Sequence, residues 1–455
     1  MSPRTCFGVT FINIGILKQT HDNIGSEFLF INEKEDMSSY LSPERRRWLI
    51  VAIIFTITVF SYVDRQVVSI LKPILKEEYS LDDIGYALII NAFTICYALM
   101  YPVSGWLVDK FGSRKIMFWG VIAWSLSSIG SGLARTLFPF VFFRSVLGMS
   151  EPTTYPAQIK AVTKWFSGRL RATANSISVA GGTIGSVIAP PLIAWLVISF
   201  SWHAAFIIPG LIGFVVALIW LLVYREPPKG YVQDVISPER ESAESPSFTW
   251  GQLWSKKSLW GIVLIRFTTD PVWYFILFWL PGYLMEESGL TLSQLGMVGW
   301  IPFMAASIGG IASSAWSDWM VRRGKPPLRS RKVMLSYVAF LAPVILIPDQ
   351  LGVSVTIIKF SILAAVALSW IYTESVLIAE TFPINNVASV LGIAGGFGAA
   401  GAVIFNYLIG QYMASVGITW VFMVMAVLHP LALFILWKMI RPEVPKELLS
   451  LKKGN

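Results

Sequence analysis

The chain has 455 residues, of which 55% are apolar and 14% are charged, whereas soluble globular proteins carry roughly 25% charged residues. This deficit excludes an ordinary water-soluble enzyme, because a soluble chain of this length needs charge to cover its cores, and it indicates that lipid is the solvent. Two cysteines, Cys6 and Cys96, are too few for a disulfide framework, and the sequence suggests neither a metal nor a cofactor. The net charge of +9 allows nucleic acid or acidic lipid as a partner until the positive residues are located.

Apolar windows of about 19 residues or more, long enough for a helix to cross about 30 Å of hydrocarbon, recur along the chain. Strands that cross a bilayer alternate polar and apolar residues, and runs such as 48–60 do not. The sequence therefore predicts an all-α membrane protein with twelve transmembrane helices. The predicted spans are 48–70, 84–108, 115–134, 137–160, 171–198, 203–224, 258–284, 293–319, 332–349, 355–379, 387–414 and 418–440.

A proline-rich, charged stretch divides these spans six and six. We predict a six-helix bundle at 45–224, a cytoplasmic linker at 225–257, a second six-helix bundle at 258–440, and cytoplasmic tails at 1–44 and 441–455.

The first tail is polar apart from an apolar patch at residues 7–17, which is too short to span a bilayer and lacks a convincing cleavage site. We therefore hypothesise that the native protein starts at Met37, shortly before the first span.

Positive residues predict the orientation, because cytoplasmic loops are enriched in Lys and Arg. Most of the 36 Lys and Arg residues lie in loops and tails on one predicted side. The opposite loops hold Lys72, Lys76, Arg135 and Lys359. The positive charge thus places both termini in the cytoplasm and is not a nucleic-acid footprint.

Charges inside the predicted spans are functional candidates, since each costs about 2.5 to 3.5 kcal/mol in hydrocarbon. Asp64 and Arg65 are adjacent in the first span, and Arg144 and Glu151 lie two turns apart on one face of the fourth. Burial favours the protonated form of a carboxyl group and a nearby Arg favours the ionised form, so these acids suit proton coupling. A static ion-pair lattice that only pins helices together is the alternative.

The seventh span carries Arg266 and Asp270 one turn apart, a spacing that lets them neutralise each other. Glu374 in the tenth span is a further acid and a possible partner of Arg266. Trp273 and Tyr274 can stack on a sugar ring or anchor the helix at the membrane interface.

Two internal repeats relate the halves. A loop motif at 105–115 after the second span corresponds to Asp318 and its following basic pair after the eighth, and residues 165–177 correspond to 381–393. Two such pseudo-symmetric bundles are what a transporter uses to expose one midplane site to each side in turn.

On the loop motif, the chain resembles the major facilitator superfamily. Charge-assisted bonds of these residues can hold the two halves closed on the cytoplasmic side; charges that only set the topology are the alternative. The predicted cytoplasmic gate consists of Gly105, Asp109, Gly112, Arg114, Lys115 and Asp318.

Within the superfamily, the chain is most similar to the anion:cation symporter branch and to bacterial hexuronate (galacturonate and glucuronate) transporters over about residues 45–440. By that resemblance, Arg65 binds the substrate carboxylate, Asp64 and Glu151 bind protons, and Arg144 pairs with Glu151. The residues that carry the resemblance are the string from Tyr62 to Arg65, Arg144 with Glu151 and Pro156, and the string from Arg266 to Tyr283. The predicted substrate contacts are Arg65, Tyr62, Tyr97, Trp273, Tyr274, Trp370 and Thr373.

The sequence departs from this branch at three positions. Gly182 stands where galactonate carriers have Gln, Gly395 where they have Asn, and Thr373 where hexuronate carriers have Asn. The substrate can therefore be another sugar acid or organic anion.

We expect a proton-coupled symporter that brings a monovalent sugar acid into a bacterial cell by alternating access, as a monomer in the inner (plasma) membrane. An arginine suits this role because its planar fork binds a carboxylate through two hydrogen bonds and does not deprotonate. Sodium coupling, anion exchange and a transporter-like sensor are the alternatives. A membrane enzyme is disfavoured because no nucleophile or metal set stands out.

Overall fold

The computed structural model describes residues 42–166, 168–227 and 248–442, and this part of the chain folds into helices. The Met37 start, the tails beyond these limits and most of the predicted linker lie outside the described residues. The helices are α1 (Pro43–Ile70), α2 (Lys72–Glu78), α3 (Asp83–Phe111), α4 (Ser113–Leu133), α5 (Leu137–Ser150), α6 (Thr154–Trp165), α7 (Gly168–Ser199), α8 (Ala204–Val223), α9 (Trp250–Trp254), α10 (Lys257–Phe278), α11 (Leu280–Glu286), α12 (Leu292–Val298), α13 (Ile301–Arg322), α14 (Pro327–Ala339), α15 (Val353–Thr381), α16 (Ile384–Val416) and α17 (Thr419–Met439). Short 3₁₀ turns occupy Glu151–Thr153, Ala342–Leu346 and Asp349–Leu351.

Ten helical segments of the described chain are long and apolar enough to cross a membrane, and each coincides with a predicted span. The fourth and ninth predicted spans are not single long helices. The fourth is divided into α5 and α6 by a 3₁₀ turn, because Pro152 and Pro156 have no N–H to donate to the preceding turn. The ninth, α14, begins with a charged turn and gives way to a 3₁₀ turn that contains Pro343.

The same packing pairs recur in the two halves. In the first half α1 packs along α7 and α3 along α5, and in the second half α10 packs along α16 and α13 along α15. Glycines allow the backbones to approach closely in the α1–α7 pair and in the α10–α16 pair. Gly185 of α7 faces the carbonyl of Val59, and Gly401 of α16 faces the carbonyl of Phe267.

Contacts between the halves are made by α3 with α16 and by α7 with α12. The hydroxyl of Tyr86 donates to the carbonyl of Phe278 at 2.5 Å, and Asn91 Nδ2 donates to the carbonyl of Val403 at 3.1 Å. Asn406 Nδ2 in turn donates to Asn91 Oδ1 at 3.3 Å. Polar side chains that hydrogen-bond across apolar helices therefore join the halves near the start of α3.

Candidate functional site

Partly buried Arg65 and buried Glu151 form an ion pair between α1 and the break in the fourth crossing. The Nε of Arg65 lies 2.6 Å from Oε2 of Glu151. Glu151 is 1% exposed, and its other oxygen, Oε1, has no hydrogen-bond partner within the described chain. The pair is therefore charge-balanced, but the carboxylate keeps one acceptor unused.

Aromatic rings surround the guanidinium of Arg65. Its central carbon lies 4.7 Å from the ring centroid of Tyr97, 5.0 Å from that of Tyr62 and 5.7 Å from that of Phe93. Such faces stabilise a positive charge. The structure thus brings Tyr62 and Tyr97 to Arg65, as the resemblance implied, and adds Phe93, which the sequence analysis missed. The only sequence signal for Phe93 is its spacing of one helical turn from Tyr97.

Asp64 points away from this ion pair although it is the neighbour of Arg65, because adjacent residues of a helix project about 100° apart. It is fully buried and accepts hydrogen bonds from Trp124 Nε1 and, at 3.0 Å, from Ser128 Oγ. Both donors belong to α4. Neither was found in the sequence, since a Trp and a Ser in an apolar helix carry no signal of their own.

Arg144 does not form the close ion pair with Glu151 that the resemblance implied. Its guanidinium lies 5.7 Å from the Phe93 ring centroid, and its Nη1 has no hydrogen-bond partner in the described part of the protein. It interacts with Asp64 and Glu151 only at longer electrostatic range. Seven residues span about 10.5 Å along a helix, whereas Arg65 reaches Glu151 directly from the facing helix.

A second charge cluster lies in the other half. The Nε of Arg266 is 3.0 Å from Oδ2 of Asp270, and Nη1 is 3.1 Å from Oε2 of Glu374. The expected contact between Arg266 and Glu374 is therefore present. It joins α10 to α15, the seventh and tenth predicted spans, just as Arg65 and Glu151 join the first and fourth. An Arg–Glu pair thus occupies equivalent helix pairs of the two halves.

Tyrosines connect the two clusters. Tyr274 lies within electrostatic reach of both Arg65 and Arg266. Tyr101, which the sequence analysis missed, interacts with Arg266 and with Tyr62. Tyr372, also missed, places its hydroxyl 3.4 Å from Thr183 Oγ1 on α7. Tyrosines of the described chain thus lie within electrostatic reach of both arginines, and their hydroxyls suit a hydroxylated, anionic ligand.

Three other predicted substrate contacts are packed in the second half of the protein. Trp370 is 1% exposed and meets His429 edge to face, with 5.9 Å between ring centroids. Trp273 meets Phe303 in the same way at 6.3 Å. Thr373 is buried beside Glu374 in the sequence of α15. Each of these two tryptophan rings therefore has an aromatic partner on a neighbouring helix.

The predicted cytoplasmic gate makes its ion pairs within each half. Asp109 lies 2.8 Å from Lys160 of α6, and Asp318 lies 2.5 Å from Arg331 of α14. Arg114 donates to the carbonyl of Leu221 at 2.7 Å. The expectation that these residues bond across the halves is therefore not met in this conformation.

The other gate residues lie in open or strained positions. Lys115 is exposed, and a Cβ at Gly105 would meet nothing within 4 Å. Gly112 has a φ of +84°, a conformation that side chains rarely adopt, and it divides α3 from α4.

At the opposite end, Lys72 links the halves. Its Nζ lies 2.6 Å from Glu286 and 3.1 Å from Asp83, and Lys76 adds contacts to both acids. Lys72 is 1% exposed and lies 4.9 Å from the Trp279 ring centroid. Sequence reasoning counted Lys72 as an ordinary loop charge, because nothing in the chain signals its partner in the other half.

Comparisons with known proteins agree with this architecture. The sequence profile of the Major Facilitator Superfamily matches residues 54–373. The chain is 27% identical over 415 residues to a hexuronate transporter of Escherichia coli (strain K12). The alignment covers 87% of this chain and 94% of that protein. The chain is 28% identical over 399 residues to the probable galactarate/D-glucarate transporter GarP of the same strain, covering 81% and 88%. A bacterial homolog of the human lysosomal transporter Spinster, in an inward-facing and occupied conformation, superimposes with a TM-score of 0.71 at 19% identity, covering 87% of this chain and 97% of that one.

Proposed function

Because the chain belongs to the Major Facilitator Superfamily, a family of transporters and not of enzymes, we propose that it carries a sugar acid into the cell together with protons. The observation that carries this proposal is the buried Arg65–Glu151 pair inside its tyrosine cage. The similarity to transporters of hexuronates and of galactarate or glucarate supports a sugar acid as the substrate.

The substrate competes with Glu151 for Arg65. A substrate carboxylate that takes Arg65 Nε displaces the Glu151 carboxylate, which then stays buried without its partner. Protonation of Glu151 removes that penalty, because a neutral acid no longer needs Arg65. Substrate binding and proton binding thus favour each other, which is the thermodynamic condition for symport.

Asp64 is the second proton carrier in this proposal. Its hydrogen bonds from Trp124 and Ser128 tie α1 to α4, so a change in its charge alters the contact of those helices. Arg144 remains as a buried positive charge that faces both acids at longer range. Its role is to balance Asp64 and Glu151 while Arg65 holds the substrate.

The substrate hydroxyls contact tyrosines rather than an amide on α7. A Cβ at Gly182 would come within 2.7 Å of the Tyr62 ring, so Tyr62 occupies the space that a longer side chain would fill. Tyr62 and Tyr97 place their rings beside Arg65, and Tyr274 lies within electrostatic reach of both arginines.

Alternating access follows from the two ends of the bundle. The contacts of Lys72 with Glu286 close the end that the Lys/Arg distribution places outside the cell. In the opposite state this network opens, and the loop motif around Asp109 and Asp318 closes the cytoplasmic end. The moving parts are the bundles 45–224 and 258–440, joined by the linker 225–257. Both termini are cytoplasmic, the membrane is the bacterial inner membrane, and the monomer suffices.

Uptake into proteoliposomes tests the proposal. Purified protein should accumulate labelled glucuronate, galacturonate or galactarate when the outside is made acidic, and an uncoupler should abolish the accumulation. Accumulation that follows a sodium gradient instead would identify the sodium-coupled alternative. Exchange of internal for external substrate that depends on neither the pH gradient nor the sodium gradient would identify an exchanger. Binding of the sugar acid without uptake would identify a sensor.

A further inference from the structure

The C-half triad, defined as Arg266, Asp270 and Glu374, has no part in the mechanism above. We propose that this triad carries a proton of its own and is a second coupling site, so that each transport cycle moves one more proton than the acids of the first half account for. The inference rests on the proposed symport, since it assigns an additional coupled ion to the same cycle.

The charges of the triad do not balance. One guanidinium faces two carboxylates, at 3.0 and 3.1 Å, so the ionised triad has a net charge of −1. Asp270 is 3% exposed and Glu374 is 5% exposed. An uncompensated charge at such burial is strongly unfavourable, and a bound proton removes it.

The triad also offers oxygen atoms that a proton can use. Asp270 Oδ1 and Glu374 Oε1 are both buried and have no hydrogen-bond partner within the described chain. By contrast, Asp64 accepts hydrogen bonds from Trp124 and Ser128. The triad therefore combines a missing positive charge with two unused acceptors.

The neighbouring helices bring little further charge to the triad. Within the described chain, the charged groups that act on Glu374 are Arg266 and Asp270, and Arg266 also interacts with Tyr274. From α3, Tyr101 acts on Arg266. From α17, His429 faces Trp370 instead. From α16, the approach to the triad is made by Gly395 and Gly398.

A proton fits this site better than a metal cation. A sodium ion needs several oxygen ligands, and here the two carboxylates already share Arg266 at contact distance. The guanidinium would repel an ion that took the same oxygens. A proton binds one carboxyl oxygen and leaves Arg266 on the other acid.

The position of the triad links it to the movement of the helices. Asp270 on α10 packs against Gly398 of α16, and Glu374 lies on α15. Of these helices, α10 and α15 are the second-half equivalents of the segments that hold Arg65 and Glu151. Tyr274 lies within electrostatic reach of Arg65 and Arg266, so a substrate carboxylate on Arg65 changes the field that both clusters experience. A rearrangement that opens the cavity to the other side can then release the triad's proton there.

The proton-to-substrate ratio tests the inference. The ratio is obtained from the substrate gradient that just stops net flux at a fixed pH gradient in proteoliposomes. We expect Glu374→Gln to transport with one proton fewer per substrate than the unmodified protein. Glu380→Gln, on the same helix but outside the triad, should keep the original ratio. An unchanged proton-to-substrate ratio in Glu374→Gln would overturn the inference. The inference would also be overturned if the substrate gradient that stops net flux depended on the sodium concentration.

If Glu374→Gln does not fold, a second variant and a binding measurement still test the inference. Asp270→Asn should lower the ratio in the same way. Calorimetry of sugar-acid binding in two buffers of different ionisation enthalpy should show about one proton fewer taken up by either variant. Equal proton uptake in all forms would contradict the triad's role. If transport by the unmodified protein does not depend on the pH gradient, the proposed symport itself is wrong. That outcome is distinct from proton-driven transport in which the variants keep the proton-to-substrate ratio of the unmodified protein.

Discussion

The Nε of Arg65 lies 2.6 Å from the carboxylate of Glu151, and this contact joins two chain segments 86 residues apart. The pair is buried, and Tyr62 and Tyr97 place their rings beside its cation. In the proposed mechanism, a substrate carboxylate competes with Glu151 for Arg65. We propose that this contact is both the binding site in its closed form and the switch that couples substrate binding to protonation.

Glu151→Gln should weaken the coupling of transport to protons. The amide is always neutral, so Arg65 is free to bind the anion without proton uptake at this position. We expect accumulation driven by a pH gradient to fall, because the proton carried by Glu151 is lost, while exchange of internal for external substrate continues. Uptake of labelled substrate and counterflow in the same vesicles measure both. Accumulation equal to that of the unmodified protein would contradict the assignment.

Arg65→Ala should abolish substrate binding. Removing one partner of a buried, charge-assisted contact costs about 2 to 5 kcal/mol, so affinity should fall by roughly 30-fold or more. Arg135→Ala serves as the control, because that side chain is exposed. Calorimetric titration checks the loss, and an affinity equal to that of the control would exclude Arg65 from the site.

Gly398→Ala should disturb the C-half triad. A Cβ at this position collides with Asp270, whereas a Cβ at Gly396 meets nothing within 4 Å. We expect transport by Gly398→Ala to fall by up to roughly 100-fold, the order of loss for a misplacement of about 1 Å, and Gly396→Ala to remain active. The paired substitutions make the same chemical change on one helix. Equal transport rates would show that the close approach has no functional role.

Glu286→Gln should loosen the end of the bundle that Lys72 closes. The buried Lys72 loses its nearest anion, at 2.6 Å, and keeps Asp83 at 3.1 Å. Hydrogen exchange of α11, followed by mass spectrometry, should therefore become faster. Glu287→Gln changes the adjacent, exposed acid and should leave the exchange unaltered. If both variants exchange alike, Lys72 does not hold this end closed.

Asp349 should add stability that depends on pH. It lies outside the membrane-spanning segments and contacts Lys359 at 2.6 Å, Thr356 at 2.7 Å and Tyr283 at 2.7 Å. Partial burial raises the pKa of Asp349, but these hydrogen bonds outweigh it and hold the pKa below the ordinary value.

A carboxylate with a lowered folded-state pKa contributes its full stability above the unfolded pKa of about 3.9 and loses it as the pH falls through the folded value. The Tm difference between the unmodified protein and Asp349→Asn should therefore be constant near neutral pH and shrink below about pH 4. A difference that does not change with pH would rule out this origin.

The positions of most membrane-spanning helices could be predicted from the sequence, because the length of an apolar segment is a property of the linear chain. The exceptions have local causes. Pro152 and Pro156 divide the fourth crossing, and the charged start of α14 with Pro343 shortens the ninth. Both could be suspected from proline positions, but the spans were predicted from average hydrophobicity, which does not register a missing N–H.

The sequence by itself determined that this is a helical membrane protein and that Asp64, Arg65, Arg144, Glu151, Arg266, Asp270 and Glu374 are its exceptional residues. It did so because a charge in hydrocarbon is costly wherever it occurs. Only the tertiary structure decided the partners: Glu151 pairs with Arg65 rather than Arg144, and Lys72 pairs with Glu286, 214 residues away. Ion pairs depend on distances of a few ångströms, and those are set by helix packing and not by spacing along the chain.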